Sequence, residues 1–286
     1  SMDNRSAAAL IEVERVYSLP ISKFLRVIAL LRRERYDLLI DSTQWARIGA
    51  LISAFSGSGR TVGFKTKGEA RSLAYDEVVL HSSLKHEWEN FASLLQTEAG
   101  AFKPKLKECR ETERRLLPDS NFVVLHMFAS GSYAKNKEWR EEYWKMLAEY
   151  LAEKGYIAIF TGSESDRERL EAFIDSLPKN DKFINSAGRL NLEELSVLLR
   201  RAEGVVSVNT GIMHLAALSG VFTIALHGPS DPARWGGIGD NVVNLTPQGV
   251  NSFPAMNGGK IKDESSFARN IKPEEVILAL QQALKC

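Results

Sequence analysis

The sequence is short of cysteine, of long apolar runs and of net charge, and each shortage removes a class of protein. Only Cys109 and Cys286 occur in 286 residues. Two distant thiols build neither a disulfide framework nor a cysteine-rich metal cluster, and they suit a reducing cytoplasm. No apolar run approaches the roughly 18–20 residues that cross a bilayer. The opening Ser1-Met2 reads as an expression remnant with no signal peptide behind it. Net charge is +1, with 19 basic against 15 acidic residues in 1–118 and 18 against 21 in 119–286. That asymmetry is too slight for a nucleic-acid partner but compatible with a mildly anionic one. G-x-G-x-x-G, P-loop, H-E-x-x-H and G-x-S-x-G motifs are all missing, so dehydrogenase, kinase, zinc-protease and serine-hydrolase readings have no motif behind them.

What is present is alternation. Hydrophobic residues make up 44% and charged residues 26%, an ordinary globular balance. In the second half, short apolar runs (NFVVLH, YIAIFTG, the pair Phe183-Ile184, GVVSV, FTIALH, NVVNL) alternate with helical patterns near 139–154, 165–177 and 191–202 and after Pro273. Strands separated by helices of that length predict βαβ units and a parallel sheet. The first half is looser but similar: FLRVIALLRRERY, DLLIDS, WARIGALISAFSG, TVGF, YDEVVLH and HEWENFASLLQ. A charged, proline-bounded stretch at 103–118 reads as a linker, giving domains 1–115 and 116–286.

Ligands of parallel sheets gather where strands end and helices begin. Three such turns in the second half carry suitable groups. HMFASGSYAKNKEW offers Ser130, Gly131, Ser132 and the lysines Lys135 and Lys137 to an oxyanion or diphosphate; a plain polar loop is the simpler reading. Trp139 reads as a core anchor. TGSESDRE offers Gly162, Glu164 and Asp166 either to ribose hydroxyls or only to helix capping. VVSVNTGIMHLAALSG passes from strand to helix through Asn209, Thr210 and Gly211, with His214 one turn on; the free amides of that helix start attract phosphate. HGPSDPARWGG supplies a rigid loop at the next strand end. Three polar strand ends in one sheet point to a nucleotide-diphosphate site.

In this order the motifs resemble the lipopolysaccharide heptosyltransferase family. VVLHMFASGSYAKNKEW is similar to its "HPG(A/T)…K-x-W" segment and IAIFTGSESDRE to its "G-G-x-x-(E/D)" turn. SVNTGIMHLAALSG is similar to "(N/D)-(S/T)-G-x-x-H-(L/I)-A" and ALHGPSDPARWGG to "(F/Y)-G-P-T-(D/S)-P". The resemblance implies an α/β fold of two Rossmann-like doubly wound domains facing a cleft, the GT-B arrangement, with the second domain holding a nucleotide sugar such as ADP-heptose. By this similarity Lys137, Ser130 and Ser132 hold the diphosphate and Glu164 or Asp166 the ribose. Thr210, Gly211, Met213 (through its backbone) and His214 cradle the phosphates. Many members carry aspartate in place of Asn209, so an ionic role there is lost or altered. Members also begin with a strand, a glycine-aspartate turn and a helix whose aspartate is the expected base. Nothing before Ser22 matches these, so the first domain reads as truncated or diverged at its start.

The reaction expected is inverting, metal-independent sugar transfer from the nucleotide donor to a lipopolysaccharide-core or related glycan acceptor. No cofactor or metal is expected. Asp41, at a first-domain strand end, is the available carboxylate for the base, with strand-end capping as the alternative. The partners implied are the nucleotide sugar and a glycolipid acceptor at a membrane surface, with the protein cytoplasmic or peripheral on the inner membrane. Two other readings remain open: a nucleotide-sugar-binding remnant without turnover, and a sugar-nucleotide epimerase of the same two-domain shape.

Overall fold

The computed structural model describes residues 7–8, 10–44, 46–66, 68–97, 106–107, 118, 120–131, 133–250, 253 and 264–284. The chain divides into two compact units. Unit 1 comprises Ser1–Ala8 with Val13–Pro104, and unit 2 comprises Ala9–Glu12 with Lys105–Cys286. The boundary expected at 115/116 lies outside the described residues.

Unit 1 carries a parallel sheet in the order β1 (Leu38–Asp41), β2 (Arg60–Lys65), β3 (Glu77–Leu80). Helices α1 (Phe24–Glu34), α2 (Arg47–Phe55) and α3 (Glu87–Leu94) accompany it. The apolar spacing of α1 ends at Arg35, which takes the left-handed conformation and returns its N–H to Leu31 O at 3.0 Å. The core is small: Val62, Phe64 and Leu94, flanked by Ile40 and Val79. Gly63 of β2 pairs in register with Asp41. A Cβ at Gly63 would lie 2.4 Å from the Tyr75 ring, so glycine is what lets that ring rest on the strand.

Unit 2 is a six-stranded parallel sheet. Its strands are β4 (Phe122–His126), β5 (Ile157–Thr161), β6 (Phe183–Asn185), β7 (Gly204–Val208), β8 (Thr223–Leu226) and β9 (Val242–Leu245), ordered β6-β5-β4-β7-β8-β9. This is the doubly wound order in which the winding reverses between the first and fourth strands of the domain. β4 alternates across the sheet: Val123 and Leu125 join one buried cluster, Phe122 and Val124 the other. The first cluster is closed by α5 (Glu141–Glu153), α6 (Arg167–Asp175) and α10 (Pro273–Leu280), the second by α7 (Leu192–Arg201) and α8 (Gly211–Leu218). On α5 the buried face is Trp144, Leu147, Ala148, Leu151 and Ala152, the i, i+3, i+4, i+7, i+8 pattern of a core-facing helix. Each large side chain so buried contributes about 1.5–3 kcal/mol. Two further short helices are α4 (Ala134–Lys137) and α9 (Pro232–Trp235).

The sequence pattern suggests one helix from 139 to 154, but the chain is extended at Glu138 and Arg140, between α4 and α5. The cause is Trp139. Its buried indole packs edge-on against Trp144, and its N–H donates to Ile271 O at 2.8 Å. A continuous helix would set that ring in a different direction. Elsewhere the capping signals act as read: Asn191 and Glu194 form a reciprocal box on α7, and Pro273 opens α10.

Candidate functional site

Because the winding reverses between β4 and β7, the loops leaving their carboxyl ends part to opposite faces, and polar residues there can converge on one ligand. The β7 strand runs directly into α8 through Asn209 and Thr210. Thr210 is extended (φ −144°, ψ 175°) and its side chain does not cap the helix. Its hydroxyl is buried with no hydrogen-bond partner. The first helical bond is His214 N–H to Thr210 O at 3.4 Å, which leaves the amides of Gly211, Ile212 and Met213 without intrahelical acceptors. Nothing lies within 4 Å of where a Gly211 Cβ would stand. Among the described helices of unit 2 with eight or more residues, α8 alone has no acidic residue in its first turn. The positive end of this helix is therefore open, and an unsatisfied hydroxyl stands beside it. Met213 itself is fully buried, so only its backbone can serve a ligand.

Lys137 closes α4 and is half-buried. Desolvation pulls its pKa below the ordinary lysine value, and among the described residues no carboxylate lies within ion-pair distance of it. Removing an ammonium from water without a counter-ion is unfavourable, and an incoming anion would relieve that cost. The β8 end supports this lysine directly: a Cβ on Gly228 would stand 2.6 Å from Asn136 O and 3.1 Å from Lys137 Cα. Ser130 is exposed in the same loop, beside Gly131 at φ +77°. Ser132 lies outside the described residues.

Burial above all, with the nearby charges of His214 and Lys137, pulls the pKa of His227, at the end of β8, down to about 4. His227 is not marked out by the sequence, where its one signal is the strand end it occupies. Nor is His126, at the end of β4, which is buried, lies 3.0 Å from Thr161 Oγ1 on β5 and is likewise held at about 4 by desolvation. Asn209 is buried and turned toward His227 at 2.8 Å and Ser230 Oγ at 3.1 Å.

The two acids of the β5 turn have different surroundings. Asp166 accepts from Ser163 N–H at 2.8 Å and Ser163 Oγ at 2.5 Å, closing a capping box. Gly162 is required there, since a Cβ would stand 2.9 Å from Asp166 Cβ. Glu164 is exposed, pairs with Arg167 at 2.7 Å and lies close over Gly188. Glu164 is the carboxylate with acceptor capacity left for a ribose, and Asp166 the one committed to the turn.

Asp41 belongs to unit 1 and is closed in on all sides. Its Oδ1 accepts from Thr43 N–H at 2.9 Å and Thr43 Oγ1 at 2.7 Å; its Oδ2 accepts from Arg71 at 2.8 Å and Tyr75 OH at 2.6 Å. Arg71 is itself buried. Burial, and then the bond to Asp41, push the Tyr75 hydroxyl up to about 12. Four donors on one carboxylate fit the capping alternative better than the base. Among the described residues no group of three or more His, Cys, Asp or Glu side chains could hold a metal ion.

Known proteins share the sequence pattern and the fold of this chain. The chain is 27% identical over 241 residues to lipopolysaccharide heptosyltransferase 1 of Escherichia coli (strain K12), covering 77% of this chain and 72% of that protein. Its fold matches that of the E. coli ADP-heptose LPS heptosyltransferase II with a TM-score of 0.77 at 20% identity, over 98% of this chain and 86% of the other. It also matches an E. coli heptosyltransferase, WaaC, solved with ADP, with a TM-score of 0.71 at 20% identity, over 98% and 87% of the two chains. The sequence model of glycosyltransferase family 9 (heptosyltransferase) matches residues 24–257. This match, over most of its length, shows that the chain belongs to glycosyltransferase family 9.

Proposed function

We propose that this glycosyltransferase takes a heptose from ADP-heptose and delivers it to a lipopolysaccharide-core acceptor, inverting the anomeric centre without a metal. The observation that carries the reading is the pairing of a desolvated lysine, Lys137, with the uncapped start of α8 and its orphaned Thr210 hydroxyl. As the anomeric C–O bond breaks, negative charge grows on the departing diphosphate. An ammonium and helix amides aimed at those oxygens stabilise the transition state more than the ground state. The acceptor hydroxyl attacks the opposite face of the sugar and loses its proton to a base. Glu164 accepts hydrogen bonds from the ribose. Ser130 reaches the diphosphate from the β4 loop, and His214 assists on α8. The donor is a substrate, so no resident cofactor is invoked. The acceptor being a glycolipid, we place the enzyme in the cytoplasm at the inner membrane surface; among the described residues no helix is long and apolar enough to cross it.

The test is binding of ADP-heptose by calorimetry and transfer to a heptose-deficient lipopolysaccharide on one preparation. Lys137→Ala should weaken donor binding by about tenfold to a hundredfold, as loss of a charge-assisted hydrogen bond does. Unchanged affinity removes the lysine from the site. The saturated Asp41 favours a second reading, in which the protein binds the donor and does not turn it over. Tight binding with no transfer to any acceptor selects that reading. Conversion of the free sugar nucleotide without acceptor selects an epimerase.

A further inference from the structure

Asn209 and His227 join two strand ends one residue away from the elements proposed to bind phosphate. Thr210, next to Asn209, starts α8, while Gly228, next to His227, supports the backbone of Lys137. Of the two, His227 departs from the motifs quoted above, where phenylalanine or tyrosine stands at its position, while Asn209 is one of the two residues its motif allows, aspartate being the other. The proton positions in this contact follow from a third residue. Asn244 Oδ1 accepts Gly237 N–H at 2.9 Å, and Asn244 Nδ2 donates to Gly237 O at 3.2 Å. The backbone thereby fixes which way that amide points. His227 Nε2 lies 2.9 Å from the same Oδ1, which can only accept, so Nε2 carries a hydrogen. Nδ1 is then the bare nitrogen of a neutral ring, and Asn209 must present its NH2 group to it. The Asn209 amide has its own orienting contact: Nδ2 faces Trp235 O, a backbone carbonyl that only accepts, at 3.5 Å, and lies 3.1 Å from Ser230 Oγ.

We propose that Asn209 is a positioning residue acting through His227: together with Asn244 it holds that imidazole neutral, protonated on Nε2, so that no second buried cation titrates beneath the donor-phosphate site at ordinary pH. An aspartate at 209 would do the reverse. A carboxylate cannot donate to a bare Nδ1, whereas Nε2 remains committed to Asn244. The favourable state then has both ring nitrogens protonated, an imidazolium facing a carboxylate. The other groups bearing on the ring are Lys137 of α4 and His214 of α8, which oppose protonation, and Asp231 at the start of α9, which favours it. Asn209 is the position where a single oxygen-for-nitrogen exchange changes the outcome. This inference rests on the donor-site reading only for its consequence, not for the tautomer.

Nitrogen NMR of the histidine-labelled protein tests it. The chain has five histidines, and His227→Phe identifies the signal. In the wild type, His227 should show a protonated Nε2 and a bare Nδ1, unchanged from pH 5 to pH 8. A protonated Nδ1, or a titration midpoint inside that window, overturns the proposal. In Asn209→Asp the ring should be an imidazolium at pH 6. The dissociation constant of the probe ADP-glucose, relative to wild type, should rise about tenfold from pH 6 to pH 8 as the imidazolium loses its proton beside a buried carboxylate. A ratio that does not change with pH overturns the link to the site. If Asn209→Asp does not fold, Asn244→Asp places the carboxylate on the Nε2 side and should raise proton affinity in the same direction. Should the tautomer be as stated while Lys137→Ala leaves ADP-glucose binding untouched, the donor-site reading fails and the tautomer stands.

Discussion

The Tyr75 hydroxyl donates to Asp41 at 2.6 Å while the Arg71 guanidinium holds the same oxygen at 2.8 Å, and both side chains reach it only because Gly49 and Gly63 leave the space. A Cβ at Gly49 would stand 2.5 Å from that oxygen. This is a structural lock at the carboxyl end of β1, and it has measurable consequences. Arg71→Met removes one partner of a buried pair and should destabilise unit 1 by about 3–5 kcal/mol in chemical denaturation. Raising pH acts on Tyr75. An unfolded tyrosine ionises at 10.0 while the folded one keeps its proton to about 12, so stability should fall as pH rises through that interval and be unaffected below it.

Acid should loosen unit 2 for the opposite reason. His126 and His227 are buried neutral at about 4, against 6.5 in the open chain. Between those values the unfolded state binds protons that the folded state refuses. Stability is complete above 6.5 and is lost on the way down, by about 1.4 kcal/mol per pH unit for each histidine. Urea titrations at pH 7 and pH 5 measure this; equal midpoints would mean the rings are not held neutral.

Thr210→Val keeps the shape and removes the orphaned hydroxyl. The ligand-free protein should gain about 1 kcal/mol, since an unsatisfied buried group disappears. Donor affinity should fall about tenfold if the hydroxyl serves the diphosphate. Thermal shift with and without ADP separates the two effects, because only the ligand-induced part of the shift should shrink.

The β5 turn gives a matched pair. Asp166→Ala opens the capping box and should cost about 1 kcal/mol of stability. Glu164→Ala removes an exposed carboxylate and should leave stability within about 0.5 kcal/mol while weakening the nucleotide. Nucleoside and 2′-deoxynucleoside diphosphates should bind the Glu164 variant with more similar affinities than they bind the wild type. A variant that still discriminates them fully would take Glu164 out of the ribose contact.

Strand and helix alternation in unit 2 was legible because glycines, prolines and caps that work locally bound several of its runs and helices. Asn191 with Glu194 and Pro273 are cases where neighbours along the chain suffice. The interruption at Glu138–Arg140 was not legible, because its cause is Ile271, more than a hundred residues away. The candidate site divides in the same way. Lys137, Thr210 and Gly211 could be read from turn chemistry, whereas His227 could not, since its meaning depends on Asn209 and Asn244 arriving from other strands. Asp41 carried the right chemistry for a base at a strand end, and only the donors from Thr43, Arg71 and Tyr75 reveal how fully it is occupied.

The lysine-bearing helix α4 has four residues, too few to persist unaided. Its position is borrowed from the far end of the chain, where Ile271 receives Trp139, Arg269 O receives Arg140 at 3.0 Å, and Ala268 N crowds Gly228. That tail is a buttress for an arm it never precedes in sequence. Trp139→Phe, which removes only the indole N–H held by Ile271 O, should loosen the ammonium's foothold while α10 goes on closing the core, so sugar-nucleotide affinity would fall before the sheet does.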